Sequence, residues 1–227
     1  MPIQRITHLI SKENLFWRFF VYILGFFITA FAIALAINAA LGVSPLNAFP
    51  YALSLATGIY LGACVAALFS VLVLLQILIL RRDYKPIQLT QLLGSFVFGF
   101  FVEFARFLLG DFSIPTYFGQ LTLLAMSIAC FAVGISLYMS ARLVPLPPAG
   151  LILAITQKTK LRFHQVNIML DSTCVLIGIT FSLIALGGIY GAREGTLFSA
   201  ILIGKTMPYA QRALRPMLDK VGLAPPR

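Results

Sequence analysis

Charge is what this chain is short of. Only 11% of its 227 residues are charged and seven are acidic, whereas soluble domains carry about a quarter charged residues. With 60% apolar residues and a mean hydropathy of +0.96, too little polar surface remains to face water. That excludes an ordinary soluble enzyme and equally a disordered chain. Histidine is nearly missing, present only as His8 and His164. A lipid-modifying enzyme would have His164 alone as a base inside the apolar region, so no enzyme is expected and no catalytic residue is assigned. The three cysteines, Cys64, Cys130 and Cys174, lie far apart in apolar stretches and are odd in number. They read as small buried residues, and neither a disulfide framework, a metal site nor a cofactor is expected. No Gly-x-x-x-x-Gly-Lys-Ser/Thr loop occurs, so energy from ATP would need a partner chain. No A-x-A site follows the first apolar run, and no cleavable signal is expected.

What is present is long apolar runs. From Phe19 to Leu80 there is no charged residue for 62 positions, and Phe112 to Ala141 is uncharged too. About 20 apolar residues carry a helix across the hydrocarbon core, and six stretches qualify: 17–40, 59–80, 87–109, 117–141, 163–187 and 195–213. The formal net charge of +10 would suit nucleic acid, but the basic residues fall between the runs, where they set topology, and no nucleic-acid partner is expected. With the N-terminus inside, 15 of the 17 basic residues lie on the inner side, leaving only Arg106 and Arg193 outside. The positive-inside bias therefore predicts cytoplasmic N- and C-termini and an even number of spans in the cell's inner (plasma) membrane.

Two connections are too apolar for aqueous loops: Leu41 to Gly58 and Leu143 to Thr156. Each opens with proline and continues as a stretch too short to span. A shift of 102 residues places one on the other, pairing Pro45 with Pro147, Leu41 with Leu143, Ala52 with Ala154 and Ser70 with Ser172. A unit of three spans must invert on repetition, and inverted repeats with proline-interrupted segments at matching places point to a transporter core. Irregular backbone at membrane depth survives only against protein or a wet cavity. The predicted fold is an all-α membrane protein of six transmembrane helices in two inverted three-helix repeats. Each repeat has a short Pro-led broken or re-entrant helix after its first span. The chain is one transmembrane domain over 1–227, with repeats at 17–110 and 117–213 and tails at 1–16 and 214–227.

Leu41-Gly-Val-Ser-Pro45 resembles the Gly-x-x-Pro signature of the YitT/YczE family of bacterial membrane proteins. Gly99-Phe-Phe-Val-Glu103 is similar to that family's glycine followed four residues later by an acid, and Gly195-Thr196 with Gly204 to its Gly-Thr…Gly pattern. The second proline element, Val144-Pro-Leu-Pro-Pro148, departs from the pattern by lacking the leading glycine. The resemblance implies an inner-membrane protein of transporter-like build without an established substrate.

Ionisable groups at membrane depth are functional candidates by default. His164, Asn167, Asp171, Cys174 and Gly178 recur at helical spacing on one face of the fifth span. The equivalents 102 residues earlier are Gly62, Val65, Phe69, Leu72 and Gln76, almost wholly apolar. Polarity in one copy favours a solute or ion pathway through Asp171, Asn167 and His164. The alternative is helix packing, where interhelical polar contacts average about 0.6 kcal/mol. His164 and Asp171 are the candidates for proton coupling on that stripe. Glu103 and Arg106, at i, i+3, form either a self-neutralised pair or an outer gate. Lys205 stands in the sixth span, paired with Asp171 or marking the membrane's edge. Arg212 and Arg215, after Pro208, read as an interfacial helix. Asn38 precedes the first proline element, and Ser44 and Asn47 lie within it. A half-helix starting at Pro45 or Pro147 would either aim N–H groups at an anion or be capped by those side chains. The expected function is carriage of a small polar or anionic solute. A channel-like pore or a membrane subunit of a larger transport or signalling complex is the alternative. The partners are the bilayer and the solute, with homo-oligomerisation left open.

Overall fold

The computed structural model describes residues 12–112, 114–221 and 223. Arg5, His8 and Arg227 of the expected tails lie outside the described residues. Eight α-helices follow in order: α1 Lys12–Ala39, α2 Ala48–Thr57, α3 Leu61–Leu80, α4 Thr90–Leu109, α5 Tyr117–Ser140, α6 Pro147–Lys158, α7 Phe163–Leu186 and α8 Glu194–Lys220. No strand occurs among the described residues.

The two proline connections are helical but short. At 1.5 Å per residue, α2 and α6 are about 15 and 18 Å long, half of what a bilayer demands. Pro45 starts α2 through a 3₁₀ turn, Pro45–Asn47. Gly58 stops it with φ 71°, its N–H donating to the Ser54 carbonyl, a left-handed end that glycine adopts without strain.

Among the described residues five helices are long and apolar enough to cross a membrane: those over Leu15–Ala39, Leu61–Asp83, Pro86–Leu109, Tyr117–Ser140 and Phe163–Leu186. Their outward faces are apolar: Phe107, Phe118 and Ile184 are 83%, 82% and 82% exposed, a surface made for hydrocarbon rather than water. α8 is long enough but more polar. The separate interfacial helix expected at Arg212 and Arg215 is not separate, since α8 runs unbroken through Pro208 and Pro216. Its far end is held by Leu218, buried in a cluster with Val21 of α1, Leu137 of α5 and Leu223, which offsets the backbone hydrogen bonds that proline removes.

α1 and α5 cross at the centre. A Cβ on Gly25 would lie 2.6 Å from the Tyr138 amide nitrogen and 2.8 Å from the Gly134 carbonyl oxygen, and the Ser127 hydroxyl donates to the Ala32 carbonyl at 2.7 Å. Shifted by 102 residues, Gly25 becomes Ser127 and Ala32 becomes Gly134, so the Gly25–Gly134 and Ser127–Ala32 approaches are counterparts with the helices exchanged. Small residues here let the backbones meet, as association within lipid requires.

The other helices pack in matching pairs. α4 lies on α1 and α8 on α5; α2 lies on α7 and α6 on α3. The correspondence breaks once: α3 and α4 pack closely, whereas no comparable packing joins α7 to α8. At one end of the bundle, hereafter the basic end, the Lys158 ammonium of α6 meets the Asp83 carboxylate at 2.5 Å in the turn after α3. At the opposite end Asn38 of α1 donates to the Gly110 carbonyl at 2.9 Å.

Candidate functional site

The first proline element is stitched in place by backbone bonds. Val43 N–H donates to the Gly191 carbonyl and Gly195 N–H to the Leu41 carbonyl, both at 2.8 Å, and the Arg193 guanidinium donates to the Ala40 carbonyl at 2.9 Å. Gly42, at φ 106°, sits in this weave. A Cβ there would crowd the Thr196 hydroxyl oxygen and Arg193 N, so glycine answers both to the left-handed backbone and to the space. The turn that follows is thereby fixed at the centre of the protein. Asn47 Nδ2 donates to Ser44 Oγ at 2.7 Å; both residues are buried, and neither side chain caps α2.

A cavity of about 420 Å³ lies where the starts of α2 and α6 converge, within the size range of small-molecule sites. Ser44, Pro45 and Asn47 wall it on one side, and Leu146, Pro148 and Ala149 on the other. α7 contributes His164, Asn167 and Asp171, and α8 contributes Ser199, Ile203 and Gly204. Thr29, Phe69, Phe98, Phe131 and Tyr138 complete the wall from α1, α3, α4 and α5. Six of the residues singled out from sequence are thus brought together: Ser44, Pro45, Asn47, His164, Asn167 and Asp171. Asn167 Nδ2 donates to Asp171 Oδ2 at 3.0 Å. His164 is exposed at the basic end of the cavity, and Asp171 is half-buried deeper in.

The remaining candidates lie elsewhere. Pro147 sits beside the wall, with its carbonyl turned to α3. Asn38 ties α1 to the end of α4. Glu103 Oε2 accepts the N–H of Gly62 at 3.1 Å, while its other oxygen is 3.9 Å from Arg106, which also reaches Asp111 at 3.6 Å. Lys205 is exposed and outside the cavity wall. The expected row of N–H donors is thin as well. Pro147 and Pro148 have none, and Gly150 N–H already donates to the Leu146 carbonyl, leaving Ala149 in the first turn of α6. At α2, the N–H groups of Asn47 and Ala48 go to the Ser44 and Pro45 carbonyls.

The cavity owes its opening to the unequal helix pairs. In the α3–α4 seam, a Cβ on Gly62 would land on the Gly99 carbonyl, and one on Gly99 on the Gly62 carbonyl. Lower down, the rings of Phe69 and Phe98 stack, 5.6 Å between centroids and 13° from parallel. The residues 102 positions on are His164 and Ile201 for the glycines, Asp171 and Ala200 for the rings, and Lys205 for Glu103. None can make the corresponding contact. A Cβ on Gly204 of α8 would meet nothing within 4 Å, whereas its counterpart, Val102 of α4, is wholly buried.

Sequence reading missed a buried amide pair at the basic end. Gln76 Nε2 donates to Gln91 Oε1 at 3.1 Å and to the Pro147 carbonyl at 3.0 Å, pinning the start of α6 to α3 and α4. Both glutamines are almost fully buried. The available signal was a glutamine in each of two otherwise apolar helix faces. A second cavity, about 600 Å³, lies at the opposite end of the bundle beside the 189–194 loop. Its charged residues, Arg193 and Glu194, are engaged with each other at 3.4 Å, and no sequence candidate lines it. No trio of His, Cys, Asp or Glu able to hold a metal occurs among the described residues.

The comparisons bear on this arrangement as a whole. The profile described as "Family of unknown function (DUF6198)" matches residues 16–212, from the first turns of α1 into α8. A protein of Bacillus subtilis (strain 168), named "Uncharacterized membrane protein YczE", is 30% identical over 200 residues, covering 88% of this chain and 87% of its own. No solved structure matches the chain. The chain is therefore a member of DUF6198, a family of unknown function, and a relative of the membrane protein YczE, as its Gly-x-x-Pro element had indicated.

Proposed function

We propose that this protein is a carrier in the cell's inner membrane that moves a small polar solute through the central cavity. In this reading α8 is the sixth span, and α1–α4 and α5–α8 are two inverted repeats, each with a broken helix, α2 or α6. The N- and C-termini and the basic end face the cytoplasm, as the 15-to-2 distribution of basic residues favours. The chain performs no chemistry on the solute.

One observation carries the proposal: the cavity sits where equivalent elements of both halves meet, with one of the two equivalent helix seams shut and the other open. In a carrier built from inverted repeats, access alternates by rocking one repeat against the other about a fixed central site. The closed α3–α4 seam lies toward the outside and the open α7–α8 seam toward the cytoplasm, so this conformation is inward-open. His164 at the mouth and Asp171 within supply a place for proton coupling.

The test is the accessibility of Ala149, deep in the wall. A variant with Ala149→Cys and with Cys64, Cys130 and Cys174 replaced by Ala is treated with a membrane-impermeant thiol reagent, in right-side-out and in inverted vesicles. The expected outcome is slow modification from both faces, with modification from one face abolished when α7 and α8 are cross-linked. Rapid simultaneous access from both faces would make it a channel, and access from neither would leave a packing void.

A further inference from the structure

We infer that the cavity binds a monovalent organic cation bearing an apolar or aromatic group, and not the anion that half-helix N-termini would suggest. This rests on the carrier reading for its direction of travel, but on the cavity alone for its chemistry.

The argument begins with charge. The titratable side chains in the wall are Asp171, His164 and Tyr138, and no lysine or arginine lines it among the described residues. Asp171 has one polar partner there, the Asn167 amide, and no ion pair with a cation among the described residues. A carboxylate at membrane depth needs a counter-charge or water, and a bound cation supplies it. Lys205 follows the cavity-lining Gly204 but is not itself part of the wall.

The donors an anion would use are largely gone. Two prolines open α6, and the N–H groups of Gly150, Asn47 and Ala48 are committed to carbonyls, leaving Ala149 in the first turn of α6. Of the hydroxyl and amide side chains in the wall, Ser44 and Asn47 bond each other and Thr29 bonds the Gly25 carbonyl, and Ser199 and Tyr138 are the other hydroxyls there.

Five aromatic rings stand in the wall among aliphatic side chains. Phe69 and Phe98 are stacked, and Phe131, Tyr138 and Phe163 join them. Aromatic faces attract cations within about 6 Å, and more strongly where water is excluded. Repeat equivalence sharpens the point: the position that holds Phe69 in one half holds Asp171 in the other, and both line the same space. A cation with an apolar substituent is complementary to both. Phosphate, carboxylate and sulfonate are complementary to neither.

The experiment uses the full chain in nanodiscs of zwitterionic phosphatidylcholine, with empty nanodiscs as the blank for partitioning. Phenyltrimethylammonium and its charge-inverted analogue benzenesulfonate are titrated calorimetrically. The cation should bind at least tenfold more tightly than the sulfonate. Asp171→Asn should weaken the cation by tenfold or more, Asp171→Glu should restore it to within about threefold of wild type, and Phe69→Leu should weaken it roughly threefold. Elution and melting of each variant establish that it is folded, and Asp171→Glu keeps the test decisive if Asp171→Asn is not. Tighter binding of the sulfonate, binding of neither ion, or cation binding indifferent to Asp171 overturns the assignment. The two readings fail separately. If the cation assignment fails while Ala149→Cys still alternates between faces, the carrier stands. If the cation binds through Asp171 while Ala149→Cys is reached from one face only, the ligand class stands and the carrier falls.

Discussion

Two helix pairs at equivalent places in the chain, α3–α4 and α7–α8, behave in opposite ways, and the side chains at matching positions explain why. Gly62 and Gly99 let the first pair touch backbone to backbone, Phe69 and Phe98 fill the seam below with stacked rings, and Glu103 accepts the Gly62 N–H. At the second pair the glycines are replaced by His164 and Ile201, which are too large for such contact. Asp171 and Ala200 cannot stack, and Lys205 would bring a positive charge to the N-terminal end of α7, where the helix dipole opposes it. One seam is therefore built to stay shut, and the other has nothing to close it when empty.

Breaking the shut seam should have the largest effect. Gly99→Leu places a side chain where the Gly62 backbone lies, and should cost about 3 kcal/mol, the upper end of ordinary overpacking. The midpoint of denaturation in detergent reads this out. Ile201→Leu, which puts the same residue at the equivalent position of α8, 58% exposed, should stay within about 0.5 kcal/mol. Equal effects at both positions would dissolve the contrast.

Removing the amide pair comes next. Gln76→Leu leaves Gln91 and the Pro147 carbonyl without their partner in a buried site, a loss of about 1–3 kcal/mol. Because the pair pins α6 and not α2, the loss should appear as faster hydrogen exchange at the start of α6 while the start of α2 keeps its protection.

The open seam can also be made to resemble the shut one. Combining Asp171→Phe with Ala200→Phe rebuilds on α7 and α8 the ring pair of α3 and α4, worth about 0.5–1.5 kcal/mol for such a pair. Thiol modification at Ala149→Cys from the cytoplasmic face should then fall several-fold. The smallest change is Lys205→Glu, which recreates the Glu103 contact with a helix N-terminus. A gain of about 0.3–1 kcal/mol should slow the same modification about two- to fivefold.

Much of this contrast was legible in the sequence, because it rests on periodicity and on the spacing of prolines. The long uncharged runs, the two short Pro-led helices, the 102-residue correspondence and the stripe of His164, Asn167 and Asp171 all follow from residue order. The structure gathers that stripe and the first proline turn around one cavity. What was not legible depends on which faces meet. Glu103 reads as half of an ion pair by its spacing to Arg106, yet its closer contact is with Gly62, 41 residues away. Gln76 looked like a lone polar residue in an apolar stripe until α4 brought Gln91 and α6 brought the Pro147 carbonyl. The continuity of α8 through Pro208 and Pro216 comes from Leu218 docking on α1 and α5, a tertiary contact that local sequence does not record. The scarcity of free N–H groups at the start of α6 follows from Pro147 and Pro148, which carry none, and from Gly150 N–H going to the Leu146 carbonyl.

The central claim is that α7 and α8 form a moving seam over a fixed cavity while α3 and α4 do not. Spin labels at Gln165 and Leu202, and separately at their equivalents Ala63 and Phe100, measure it by pulsed electron resonance in nanodiscs. All four positions are exposed. The account expects one narrow distance distribution for Ala63 and Phe100. For Gln165 and Leu202 it expects two populations, whose balance shifts toward the shorter when phenyltrimethylammonium is added. A single narrow and unchanging distance between Gln165 and Leu202 would contradict it.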